Sequence, residues 1–296
     1  MNYGIVYDNH GTGVVNPLPT SAELQEFYSK KYYQKSLGQY SETYSSEEIS
    51  YFNFFNQLIY VIAKEHLPLT PSTFADIGCG EGYASAYFHA KGLEVFAADF
   101  SDYGMKLHNP KTLNQISFKQ CDIVSDDSIY QDKKDLILVK NVLEHVIDAE
   151  KLVINLKKIM HSNSLLVVQV PNDTSNPILD SYRSVHRIDF VNSKPFSPPE
   201  HLRYFSHASL ESFLNSMGLK KVAQLGDFPI EMLLLNSHTD YYSTTVFGKH
   251  AHSTRVSMCN ILKEMDALKV INLCESLGHL SMGRDIIGIY KYRDLQ

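Results

Sequence analysis

Residues 74–82, FADIGCGEG, concentrate the side chains best suited to holding a ligand. An apolar strand runs into glycines at 78, 80 and 82, and a helix pattern follows. Glycine permits a tight turn and lets backbone approach a ligand closely. Asp76 and Glu81 place carboxylates beside that turn, and two further acids end the next strands, Asp99 in AAD and Asp122 in QCD. An acid about 20 residues past such a turn accepts hydrogen bonds from ribose hydroxyls in nucleoside-binding βαβ units. An acceptor at the third strand end can take an adenine amine. A dinucleotide turn would read G-x-G-x-x-G. Here the third glycine comes one residue early and Tyr83 takes its place. Carboxylates at the turn repel a pyrophosphate and suit a cationic nucleoside. The plain structural alternatives are a tight strand–helix turn and, for Asp122, a strand-end cap.

S-adenosylmethionine carries a sulfonium and an ammonium and so fits this charge pattern better than NAD. Where it binds, the chemistry is methyl transfer, which needs alignment of the acceptor and a path for its proton. Histidine is the usual base near neutral pH. His145, after the fourth strand, is the first candidate, and His201, in PEHLRYFSH, is the second. Glu144-His145 could equally stabilise a helix start, and His201 could be a hydrogen-bonded structural histidine. Arg183, His186 and Arg187, in the segment after the fifth strand, could bind a phosphate or carboxylate on the acceptor, or form a solvated loop. Tyr28, Tyr32, Tyr33, Tyr40 and Tyr44 are lid candidates, with helix packing favoured for the first two.

The elements that must position these residues follow from periodicity. Residues 1–20 read as irregular. A helix starts at Ser21 as N-cap and runs to about Tyr33, and a second starts from Ser46 and stops before Pro68 and Pro71. From residue 72, short apolar strands alternate with helices at 82–91, 101–108 and 148–161, the signature of a mostly parallel, helix-wrapped sheet. A long polar stretch follows Pro171. A helix at 206–217 ends at Gly218, then strands KKVAQLGDF and RDIIGIYKY bracket one or two helices in 228–284. The organisation is an N-terminal helical lid over 1–70, an α/β core over 71–227, and inserted helices with the final strand over 228–296.

DIGCGEG at 76–82, AAD at 97–99, CD at 121–122 and NVLEHV at 141–146 together resemble the class I S-adenosylmethionine-dependent methyltransferases, over roughly residues 70–225. The resemblance implies a Rossmann-like seven-stranded sheet with its last strand antiparallel. It implies cofactor contacts at Asp76, Gly78, Gly80, Gly82, Asp99, Phe100, Asp122, Ile123 and Asn141. It also puts Glu144, Tyr204 and Tyr33 near the acceptor. Residues 16–33 and 199–219 resemble a subgroup found with surface-polysaccharide, nucleotide-sugar and natural-product pathways, implying a sugar acceptor methylated on oxygen or nitrogen. A quinone or other natural product is the alternative acceptor. Ubiquinone-pathway relatives carry E-x-x-E-H where this chain has Asn141, Glu144 and His145. Those three could hold Mg²⁺ only weakly, so no metal is expected.

Composition excludes several classes. The chain has 296 residues, with 27 basic against 33 acidic side chains. That balance opposes nucleic-acid binding by bulk charge. Four cysteines without C-x-x-C spacing support neither a zinc ribbon nor a redox pair. No signal peptide is read, and the apolar runs fall far short of the ~20 residues that span a bilayer. A cytoplasmic enzyme acting on a small molecule is expected. An NAD-dependent oxidoreductase and a non-catalytic methyltransferase-like partner protein are the competing classes. The 19 tyrosines, without a single tryptophan, suit a lid and a sugar-binding wall.

Overall fold

A computed structural model describes residues 3–32, 43–243 and 245–293. The elements are β1 (Gly4–Tyr7), β2 (Gly13–Asn16), α1 (Ser21–Tyr32), α2 (Ser46–His66), β3 (Thr73–Ile77), α3 (Tyr83–Ala90), β4 (Glu94–Asp99), α4 (Tyr103–His108), α5 (Pro110–Leu113) and β5 (Ser117–Gln120). They continue with β6 (Lys134–Lys140), α6 (Ala149–Lys158), β7 (Met160–Pro171), α7 (Pro177–His186), β8 (Arg203–Tyr204), α8 (His207–Ser216), β9 (Leu219–Gly226), α9 (Thr245–Lys263), α10 (Ala267–His279) and β10 (Asp285–Tyr292).

Seven strands form one sheet in the order β5-β4-β3-β6-β7-β10-β9. All neighbours are parallel except β10, which runs antiparallel to both β7 and β9. The predicted sheet with an antiparallel last strand is therefore present. Side chains alternate between its faces. Phe74, Leu136, Leu138, Val167 and Ile287 pack under α2, α3 and α10. Ile77, Ile137, Val139, Val168 and Ile286 pack under α6 and α8. Helices on both faces explain why the strands are nearly continuous in apolar residues. Phe54 to Leu67 of α2 and Val270 to Cys274 of α10 share one cluster with Phe74, so the N- and C-terminal segments complete the same core.

The structure corrects several local expectations. Residues 1–20 contain a hairpin, and β1-β2 joins β8 in a small antiparallel sheet. Its strands are too short to show a period, and β8 is remote in sequence. The first helix is capped by Thr20 rather than Ser21: the Glu23 amide donates to Thr20 Oγ1, and Glu23 Oε2 accepts from the Thr20 amide. The second is capped by Ser45, not Ser46, in a reciprocal box with Glu48. The polar stretch after Pro171 holds α7, which begins with Pro177 and is capped by Asn176. No helix among the described residues is long and apolar enough to cross a membrane.

The end of β9 lies directly against α10. A Cβ at Gly226 would stand 2.2 Å from the Met282 carbonyl oxygen and 3.0 Å from the Gly278 amide nitrogen. Backbone cannot yield as a flexible side chain can. Gly226→Ala should lower unfolding stability by about 1–3 kcal/mol, the usual range for overpacking, as read from urea midpoints.

Candidate functional site

An open cleft of about 1490 Å³ runs along the carboxyl ends of the strands. That is where open α/β sheets bind ligands. The turn after β3 forms its floor at one end. Gly78, Gly80 and Gly82 hold φ values of 79°, 53° and 76°, in the left-handed region that disfavours side chains. A Cβ at Gly78 would also stand 2.2 Å from Val142 Cγ2. The Gly80 amide donates to Asp99 Oδ2 at 2.9 Å and the Ser101 amide to Asp99 Oδ1 at 3.1 Å. Burial pushes the Asp99 carboxyl up, against these hydrogen bonds.

Asp76 is buried, and its Oδ2 accepts from the Ser85 amide at 3.0 Å and the Ser85 hydroxyl at 2.6 Å. It fastens the end of β3 to α3 while lining the cleft. Asp122 Oδ1 accepts from the Val124 amide at 2.9 Å, so this acid also shapes its own turn. Phe100, Ile123 and Asn141 line the cleft with these acids. Phe100 is 52% exposed, which leaves its ring open to a flat base. Glycine backbone, acceptors at two strand ends and an open aromatic face fit a nucleoside bearing positive charge. Tyr44 reaches across from the segment before α2 and donates to Glu81 Oε1 at 2.7 Å; His108 Nε2 lies 3.3 Å from the same oxygen.

The other end of the cleft follows β6. Asn141 has a left-handed φ of 52°, and its amide donates to the Gln169 carbonyl. That turn delivers Glu144 and His145. His145 Nδ1 donates to the Glu200 carbonyl at 2.8 Å, which makes Nε2 the basic nitrogen. Nε2 lies 3.7 Å from Glu144 Oε1, and the His201 ring packs edge-on at 4.9 Å. Glu144 is 1% exposed, and burial pushes its carboxyl well above the ordinary range. Ligand atoms of Glu144, His145 and His201 lie within 4.8 Å of one another, a spacing a divalent cation could use. Arg203 holds this segment in place: its guanidinium donates to the Val146 and Ile147 carbonyls, and the Leu202 and Arg203 amides donate to the Glu144 carbonyl.

Residues 54–224, more than half of the chain, match a family model described as a methyltransferase domain. The chain is a class I S-adenosylmethionine-dependent methyltransferase. It is 23% identical over 161 residues to a ubiquinone biosynthesis O-methyltransferase of Nitrosomonas europaea, covering 53% of this chain and 68% of that protein. The fold resembles that of Burkholderia thailandensis 1,6-didemethyltoxoflavin-N1-methyltransferase, solved with its substrate and S-adenosylhomocysteine. That match has TM-score 0.52 and 12% identity and covers 98% and 99% of the two chains. It also resembles a plantazolicin methyltransferase in complex with S-adenosylhomocysteine, with TM-score 0.51, 14% identity and coverage of 93% and 91%.

In this methyltransferase, four residues expected at the acceptor stand elsewhere. Arg183 is buried outside the cleft, donating to Asp180 Oδ1 and the Asp173 carbonyl and stacking on Phe190. His186 packs on the Tyr182 ring at 4.2 Å. Arg187 closes α7 in a left-handed conformation. Tyr204 is buried between Phe190 and Phe196, and its hydroxyl accepts from the Ser197 amide. The stretch expected as a loop forms α7, which buries Arg183 and leaves His186 and Arg187 exposed, while Tyr204 is buried in β8. Tyr33 and Tyr40 lie outside the described residues. The cleft instead recruits Tyr51, Gln169, Asp227, His252, Arg255 and Asp285. No local motif marks these positions, because five places in the fold, α2, β7, the residue after β9, α9 and β10, bring them together.

Asp99→Ala removes two backbone hydrogen bonds to a carboxylate and the expected ribose acceptor. Its affinity for S-adenosylhomocysteine, read by calorimetry, should fall about 100-fold or more. Burial holds the Asp76 carboxyl up at about 6, above its unfolded value near 4. The folded state therefore binds that proton more tightly, and stability falls as pH rises through this interval. Asp76→Asn should flatten the fall, seen in urea midpoints between pH 4 and 7.

Proposed function

We propose that this methyltransferase methylates an oxygen, or by the same geometry a nitrogen, of a small polyhydroxylated acceptor, a sugar of a nucleotide-linked or surface glycan. The observation that carries this reading is the polarity of the acceptor end. Gln169, Asp227, Asp285, Arg255 and Arg284 line it together. Carboxylates and guanidinium groups side by side accept from and donate to vicinal hydroxyls. A wholly apolar acceptor would cover these polar groups and leave the Arg255 Nε without a partner, at a cost. Phe52 and Phe55 also line the cleft, and a relative is named as a ubiquinone biosynthesis O-methyltransferase. Those two facts support an aromatic hydroxyl as the second reading.

The bound cofactor supplies an electrophilic methyl group. The chain's own contribution is to cradle it with the glycine turn and Asp99, hold the acceptor in line and receive the acceptor's proton. His145 Nε2 takes that proton, because the Glu200 carbonyl fixes the other ring nitrogen as donor. Glu144 lies beside it as a positioning group, and no metal is placed in the reaction.

Radiolabelled methyl transfer to a panel of nucleotide sugars and catechols, with and without a chelator, tests the assignment. Transfer to a sugar, unchanged by chelation, is expected. Transfer to catechols alone would overturn the sugar reading, and loss on chelation would return Glu144, His145 and His201 to a metal. On the accepted substrate, His145→Gln should lower kcat about 100- to 10,000-fold with cofactor affinity near that of the parent. An unchanged kcat would move the base to His201.

A further inference from the structure

Arg255 stands on α9 at the acceptor end of the cleft. Its Nε is buried and has no hydrogen-bond partner. Among the described residues, no carboxylate lies within the 4.0 Å of an ion pair with it. Burial opposes its charge, but Tyr51, Asp227 and Asp285 nearby favour it, so the guanidinium stays charged without a direct ion pair. The acids around it hydrogen-bond to other groups, except Glu231, whose buried carboxylate oxygens have no partner. Arg284 takes Asp173 at 2.5 Å. Asp285 accepts from Gln169 Nε2 at 2.7 Å. Asp227 accepts from the Asp285 amide at 2.9 Å, and burial beside Asp285 pushes its carboxyl well up, toward the neutral form. Glu231, also buried, is pushed the same way.

The guanidinium is held rigidly nonetheless. Arg255 Nη2 donates to His252 Nδ1 at 3.1 Å, which leaves the His252 proton on Nε2, 3.5 Å from Glu48 Oε1. Its plane lies over the Tyr51 ring at 5.2 Å. Nη2 is thus held by α9 and the guanidinium face by α2, while Nε has no partner. A guanidinium held in place with an N–H unspent can donate to an oxygen of a planar or tetrahedral anion.

We propose that Arg255 is the anchor for an anionic group, a phosphate or carboxylate, carried by the acceptor. The assignment rests on the reading of this end of the cleft as the acceptor site. It places on α9 the anion-binding role expected of Arg183, His186 and Arg187.

The full chain, saturated with S-adenosylhomocysteine, is titrated calorimetrically with inorganic pyrophosphate, with glucuronic acid and with uncharged methyl glucoside. At least one of the two anions should bind, and more tightly than the glucoside. Binding of pyrophosphate alone marks a phosphate handle, and binding of glucuronate alone marks a carboxylate. Arg255→Gln should weaken that binding at least about tenfold while leaving S-adenosylhomocysteine affinity unchanged. Arg255→Lys, which keeps the charge and loses the fork, should fall between. It is the variant read if Arg255→Gln fails to fold. The proposal is overturned if neither anion binds at millimolar concentration, if the glucoside binds as well as both, or if the variants bind anion like the parent. Absence of S-adenosylhomocysteine binding in the parent would instead strike the methyltransferase reading, so the two failures are distinct.

Discussion

Gly78 nests under Val142, and that contact sets the geometry of the cleft. No side chain can stand at 78, because a Cβ there would meet Val142 Cγ2 at 2.2 Å. The turn after β3 and the turn after β6 are therefore pressed together, backbone against side chain. One turn opens into α3 and carries the cofactor cradle. The other runs on through Glu144 to His145. Their separation is fixed by packing within the core rather than by loop conformation, which is how a site gains positional accuracy. The same closeness recurs at Gly104, where a Cβ would meet the Gly80 carbonyl oxygen at 2.7 Å.

Helix α2 links the two ends of the cleft. Just before its start, Tyr44 reaches Glu81 at the glycine turn. Its first turns carry Glu48 and Tyr51, which hold His252 and Arg255 of α9. Asn260 and Lys263 of α9 reach back to the Glu47 carbonyl and the Ser50 hydroxyl. Below, its apolar face is part of the core. A shift of α2 would disturb cofactor turn and acceptor wall together, a physical basis for coupling between the two.

The sequence shows the sheet and the cradle because both rest on local signals. Strand–turn–helix units repeat from residue 72, and the glycines and strand-end acids fall inside them. His145 and His201 were legible as a pair of candidates, and the structure brings their rings together. The acceptor wall was not legible. Arg255 and His252 sit in 228–284, where the sequence shows no more than one or two helices, and Gln169 and Asp285 are polar residues at the ends of apolar strands. Arg183 misled for the converse reason: a charged residue in a Pro-rich stretch reads as solvated, yet here it is enclosed by its own helix and Phe190. Side chains gathered from distant elements leave no period or spacing to read.

The small sheet of β1, β2 and β8 adds a mechanical consequence. Strand β8 is two residues long and pairs only with Gly13 and Val14, yet His201 precedes it and Arg203 within it grips the carbonyls after His145. The Val15, Leu202 and Tyr204 side chains there share a small buried cluster of their own, apart from the two that flank the seven-stranded sheet. The histidine side of the cleft is therefore tied to the N-terminal hairpin as well as to the large sheet.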